Sequence, residues 1–368
     1  IKHTVDLQNP IRLTGDVAAK GTSVINVADG ISFSIGQWVC LRLIDSSTSL
    51  VAKELTSITA DGNVWNKPAD SQWSNLNNSG VQVYDYHQIA DKKGNEITFT
   101  EPLMHEVDPQ WKWELCKFNY YENIGIEDLT FAGNTQPGFL HHGNSGGDDN
   151  DYKPIGMMRL VNSWIRRVNF TNISEALSIS SSANISAYDI EINGNRGHSA
   201  IRSGGSSRVF IGKVYDHSKG NIAIDENTTG AFLDNAGQFH GCGVSKQSIG
   251  TVIWNVTWGE DACFEAHATQ PRATLFDCCS GAFIKLHQGG AKTELPNHLD
   301  DLTLWNFNAT NTNSISQGNF TWWDGNWTCF LPPTIVGFHG PAAGQITFAN
   351  NEVKLNESYN TAVEPYSL

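Results

Sequence analysis

Charge is scarce in this chain: Asp, Glu, Lys and Arg make up 17% of its 368 residues. Cations are the scarcer kind, 24 against 38 acids, for a net charge of −14. Nucleic acid and anionic membrane both need a basic face, so no nucleic acid and no membrane is expected as the bulk partner. Long apolar runs are missing too, and nothing approaches the roughly 18 residues of a membrane span. The chain opens at Ile1 with no initiator Met and no basic leader, which leads us to expect an exported, extracellular protein. Seven cysteines, at 40, 116, 242, 263, 278, 279 and 329, show no metal-ligand spacing, and an odd number leaves at least one unpaired in the expected monomer. No metal-ligating set is assigned from them. Helical periodicity is nearly absent.

What is present is a repeat of short apolar segments. Ile179, Ile201, Ile224, Val244, Ala266 and Leu286 follow one another at 22, 23, 20, 22 and 20 residues, a period too long for a heptad and right for one solenoid coil. A second column, Ile185, Val209, Phe232, Val252 and Leu275, runs in step at 24, 23, 20 and 23 residues. The segments around it are β-branched or aromatic and are punctuated by Gly, Asn and Ser. The expected fold is all-β: a right-handed parallel β-helix, each coil burying its apolar edge against the next.

Three regions are expected. Residues 1–120 form an N-terminal β cap packed on the solenoid, with Val24–Val27 and Trp38–Leu43 read as an antiparallel pair and Gly62–Gly80 as an exposed loop. Residues 121–345 carry the coils and residues 346–368 a closing strand with a loose tail. An insertion from Asn134 to Pro154 holds His141-His142 and the acidic run Asp148-Asp149-Asn150-Asp151, a possible Ca²⁺ site since hard cations take carboxylate oxygens. No cofactor is required by this reading. A second insertion, Gly289 to His298, is expected to project from the stack.

Because strand side chains alternate, the neighbours of inward positions must face out. Counting in this way gathers Arg202, Asp225, Glu265, His267, Lys285 and His287 on one face, with His198 and His240 near its edge. Small residues at 178, 180, 200, 223, 243 and 245 leave a groove between them. A groove of cations and acids suits an anionic polysaccharide. Asp225 and Glu265, two coils apart, would place their backbones roughly 9–10 Å from each other, nearer the inverting than the retaining separation of a glycoside hydrolase. Glu265, beside His267 and Lys285, takes the role of base and Asp225 that of acid. Arg202, Lys285 and His287 would hold anionic groups, with His198 and His240 lining the groove. Two other readings stay open: β-elimination from a uronic acid, with a His, Lys or Arg as base, and glycan binding without cleavage. Trp258 in its turn, and Trp322, Trp323 and Trp327 on later loops, offer flat faces for sugar rings, whereas Trp254 is read as core.

The coil pattern, with segments such as Phe264-Glu265-Ala266-His267-Ala268-Thr269-Gln270-Pro271-Arg272-Ala273-Thr274-Leu275 and Leu295-Pro296-Asn297-His298-Leu299, resembles the pectate-lyase-like superfamily of β-helix carbohydrate-active enzymes over about residues 120–340. Within it, the chain looks similar to endo-fucanases that cut sulfated fucans. The resemblance implies the β-helix and a carbohydrate substrate; the Asp-Asp pairs of polygalacturonases and the calcium and Arg signature of pectate lyases are not evident.

Overall fold

A coil with one apolar edge is stable only against another coil, and the strand register shows how this chain arranges that. The computed structural model describes residues 6–143, 152–225, 228–310 and 318–368. Strands Gly125–Ala132, Leu160–Thr171, Ala183–Asn193, Ser207–Asp216, Ile249–Trp254, Arg272–Asp277, Leu302–Trp305, Thr334–Val336 and Leu355–Glu357 stack in that order as one long parallel sheet. Its inward column, Ile165, Ala187, Ile211, Ile253, Phe276, Leu304 and Ile335, is in register throughout, and each member is 0% exposed. A shorter parallel sheet of Ile155–Met158, Glu175–Ser180, Ser199–Gly204, His240–Ser245 and Cys263–His267 adds Ile179, Ile201, Val244 and Ala266 to the same core. The fold is a parallel β-helix.

The expected register fails at one place, with consequences further along. Ser203 pairs directly with Val244, so the segment between them is no rung of the short sheet. Past the long-sheet strand Ser207–Asp216 it leaves the stack as an antiparallel hairpin, Gly220–Ala223 with Thr229–Leu233. Ile224 and Phe232, expected in the core, are 57% and 50% exposed there. The hairpin is about as long as a coil, which lets it imitate one in a residue count. Leu286 is likewise exposed, on a turn after the last rung of the short sheet. In the long sheet Val252 is level with Phe210 and Leu275 with Val252. A slip of one residue exchanges the faces of a strand. Thr251 and Ile253 are therefore the buried residues, while Val252, Leu275 and Trp254 look outward.

The first hundred or so residues close into a six-stranded barrel in the order Leu7–Thr14, Val24–Val27, Glu96–Phe99, Val81–Lys93, Trp38–Asp45, Trp113–Phe118. Val24–Val27 and Trp38–Asp45 are thus not partners. The stretch expected as an exposed loop holds strand Val64–Asn66 and the short helix Asn75–Ser79, and its Trp65 and Trp73 are buried. The barrel lies along the flank of the coils. Ile249, Leu299 and Leu331, from three different coils, share its apolar core, and Arg208 Nη1 donates to Asp85 Oδ1 at 2.8 Å.

Glu54 is a second tie across this contact, 3.1 Å from both Arg272 Nη1 and His105 Nε2. Burial would raise its pKa, but Arg272 and His105 outweigh burial and hold it at about 2. A carboxyl held below its ordinary value contributes stability above that value and loses it as the pH falls through the folded one. Thermal melts should therefore show the melting temperature falling between about pH 4 and 2, the range separating the two values. Glu54→Gln should lower the melting temperature at pH 6 and flatten part of that slope.

The C-terminal residues are pinned rather than loose. Ser367 Oγ donates to Asp277 Oδ2 at 2.6 Å and accepts from Trp254 Nε1 at 3.0 Å. Trp305 Nε1 donates to the Pro365 carbonyl at 3.1 Å. All seven cysteines are free, six of them buried. Among the described residues no helix is long and apolar enough to cross a membrane.

Candidate functional site

The outer face of the short sheet is built around one ion pair. Ser178, Arg202, Gly243 and Glu265 are level on successive rungs, so Arg202 and Glu265 flank a residue with no side chain. A Cβ at Gly243 would come within 2.0 Å of the Glu265 carbonyl oxygen and 2.5 Å of its Cβ. The glycine lets the Glu265 side chain reach across that rung. Arg202 Nε donates to Glu265 Oε2 at 2.8 Å, and Nη2 lies 2.6 Å from Oε1. Ser199 Oγ donates to Oε2 at 3.2 Å. Glu265 is 0% exposed while the Arg202 side chain keeps 19%. The pair is nearly closed off from solvent.

Six histidines gather around it. The amide of His240 donates to the His198 carbonyl at 2.8 Å, and their ring centroids are 4.8 Å apart, about the spacing of neighbouring strands. Stacked coils thus bring residues far apart in sequence into one column. His267 lies 6.0 Å from His240, ring to ring. His141, from the long insertion, stacks on Phe239 at 3.9 Å and on His142 at 3.8 Å. Gly289, at φ +83°, passes where a Cβ would meet His267 Cδ2 at 2.5 Å. A pocket of about 500 Å³ is lined by His141, His142, His240, His267, Glu294 and Trp327 among others.

Most of these imidazoles are neutral near pH 7. Burial first, then His198, His141, His267 and Arg202, depress His240 well below the ordinary value. Burial and then Arg202 do the same to His198. His141 is lowered to about 3 by burial and His142, and His287 to about 4 by burial. His240 Nδ1 is 2.6 Å from the His287 carbonyl oxygen. A carbonyl only accepts, so Nδ1 carries the proton and Nε2 the lone pair. Among the described residues, both ring nitrogens of the buried His198 lack a hydrogen-bond partner.

The expected site residues are only partly united. Arg202, Glu265, His267, His198 and His240 do come together. Asp225 does not share their sheet: it is exposed on the turn of the hairpin, where its amide donates to the Thr228 carbonyl at 3.3 Å. The two-coil separation that paired it with Glu265 therefore does not apply. The acidic run Asp148–Asp151 considered for Ca²⁺ falls outside the described residues. Lys285 is half-buried on the turn before His287 and has no ion-pair partner among the described residues. His287 is buried, its ring packed 4.2 Å from Phe239. Trp258 is core, 2% exposed, with Nε1 donating to the Ala282 carbonyl at 2.8 Å. Trp322 is buried as well, whereas Trp327 is 50% exposed and lines the pocket. The Gly289–His298 insertion folds back, Asn297 Nδ2 donating to Gly289 O at 2.9 Å and Ala266 O at 3.2 Å. Among the described residues His141, His142 and His198 form a three-nitrogen group whose donor atoms all lie within 4.8 Å of one another. His141 and His142 were visible only as a pair in a polar loop, with nothing to place them over the sheet.

A family model described as a domain of unknown function (DUF4955) matches residues 237–368. That stretch holds His240, Glu265 and His267 but not Arg202 or His198. No curated protein matches the chain. Among solved structures, the chain is similar to the tailspike gp49 of Pseudomonas phage LKA1, at 14% identity over 90% of this chain and 52% of that one, with a TM-score of 0.36. It is similar to the tailspike gp61 of Pseudomonas phage phi297 at 9% identity, 92% and 58% coverage and a TM-score of 0.44. It is also similar to the Gp54 tailspike of Acinetobacter baumannii bacteriophage AP22, whose structure contains an A. baumannii capsular saccharide, at 10% identity, 96% and 64% coverage and a TM-score of 0.36. The chain spans less than two thirds of each of these proteins.

Proposed function

We propose that this protein cleaves an anionic, uronic-acid-bearing polysaccharide by β-elimination, with His240 as the base. The observation that carries this reading is the contact of His240 Nδ1 with the His287 carbonyl at 2.6 Å, which leaves Nε2 with the lone pair in a pocket of imidazoles. Nε2 takes the proton α to the sugar carboxylate; the electron pair left behind forms a carbon–carbon double bond as the bond to the leaving glycosidic oxygen breaks. That oxygen departs with the bonding pair and takes a proton from water or from His267 across the pocket. Arg202 and Lys285 supply positive charge for the carboxylate, and Trp327 offers a face for a sugar ring. The polymer would be met outside the cell.

Two-carboxylate hydrolysis needs one carboxyl to protonate the leaving oxygen and another to attack or to activate water. The engagement of Glu265 by Arg202 and Ser199, and the position of Asp225 on a turn, favour elimination over it. The test is a panel of purified polysaccharides that includes polyuronates and a sulfated fucan without uronic acid. Elimination is expected to give near-ultraviolet absorbance in step with new reducing ends, on uronic-acid polymers alone. Reducing ends without that absorbance would establish hydrolysis, and saturable binding with no product would establish a glycan-binding module.

A further inference from the structure

We propose that His141, His142 and His198 hold one divalent transition-metal ion of the size of Zn²⁺, with an open coordination position toward the pocket. Three imidazole nitrogens are the donor set such ions take, and the hard oxygen-seeking ions Ca²⁺ and Mg²⁺ do not favour it. Their donor atoms lie within 4.8 Å of one another. In a tetrahedral site with metal–nitrogen bonds of about 2.0–2.1 Å, ligand nitrogens are about 3.3 Å apart. Closing the set thus takes movements of about 1.5 Å or less, within the reach of side-chain rotation on a loop.

His198 supplies the independent sign of a ligand. It is 8% exposed, and neither Nδ1 nor Nε2 has a partner among the described residues. A buried polar group left in that state is destabilising, and a metal–nitrogen bond would remove the deficit. His141 Nε2 also has no partner among the described residues, while the exposed His142 marks the way in from solvent. His240, stacked at 4.8 Å from His198, stands just outside the set. A metal there would add a second positive charge beside Arg202 for a sugar carboxylate. That consequence rests on the lyase reading, whereas the binding itself does not.

The experiment uses the full chain, stripped with a chelator and titrated with Co²⁺ and then Zn²⁺ in the absence of any polysaccharide. Co²⁺ is expected to bind one per chain with visible ligand-field absorption, to be displaced by Zn²⁺, and to raise the melting temperature. His198→Ala, His141→Ala and His142→Ala should each weaken Co²⁺ binding by more than the roughly 10- to 100-fold that a merely supporting residue is worth. The His141 and His142 variants lie on a loop and decide the matter if His198→Ala does not fold. No saturable uptake at micromolar metal, or equal uptake by the variants, would overturn the site. Neither result bears on whether polysaccharide is cleaved.

Discussion

His240→Asn is expected to lower turnover on a uronic-acid polymer by about 10²- to 10⁴-fold, the usual worth of a positioned general base. Asparagine is the informative replacement because its side-chain amide can still donate to the His287 carbonyl that Nδ1 now holds at 2.6 Å. The hydrogen bond survives; the lone pair of Nε2 does not. Because proton removal is felt only in the transition state, kcat should fall while KM stays nearly unchanged. A merely structural histidine would instead show its loss in the melting temperature. If His240→Asn kept near-normal turnover, the base would lie elsewhere, and His267, in the same pocket, would be the first to test.

The second large effect is on stability. Arg202→Met should destabilise the fold by about 3–5 kcal/mol, because it leaves the carboxylate of Glu265 buried without its counter-charge. Glu265 is 0% exposed, so water cannot take the place of the guanidinium. Arg202→Met combined with Glu265→Leu should recover most of the loss, since replacing a whole buried pair by apolar groups is often neutral or better. Urea unfolding of the two variants measures the difference. A single variant within about 1 kcal/mol of the parent would mean that the pair is solvated like a surface salt bridge.

The sequence made the architecture legible because apolar residues recur once per coil wherever the chain runs true. Ile179, Ile201, Val244 and Ala266, with Ile185 and Val209, lie where their spacing put them. The reading went astray where length alone was the guide. A hairpin as long as a coil took Ile224, Phe232 and Asp225 out of the stack, and a one-residue difference turned Val252, Trp254 and Leu275 outward. The Arg202–Glu265 pair was legible as two charges in outward columns; that they meet depends on Gly243 between them, read only as a small residue leaving a groove. The histidine cluster was less so. Its members come from an insertion loop, a turn, the start of one strand, the end of another and a later turn, and no sequence spacing expresses a contact made by coil stacking. Glu175 is a similar case: it pairs with Lys153 at 2.9 Å on the rung below Arg202, and a count centred on apolar residues passes it by.

The hairpin between Ser203 and Val244 leaves the ladder beneath it unbroken, since Arg202 and Gly243 pair as though nothing intervened. It is held from one side, where Asp261 accepts from the Ala223 amide at 2.9 Å and from Arg196 at 2.6 Å. Such an arrangement separates the scaffold from its ornament. That excursion can be lengthened, shortened or exchanged without repacking a single rung, so change in it is decoupled from the buried Arg202–Glu265 pair.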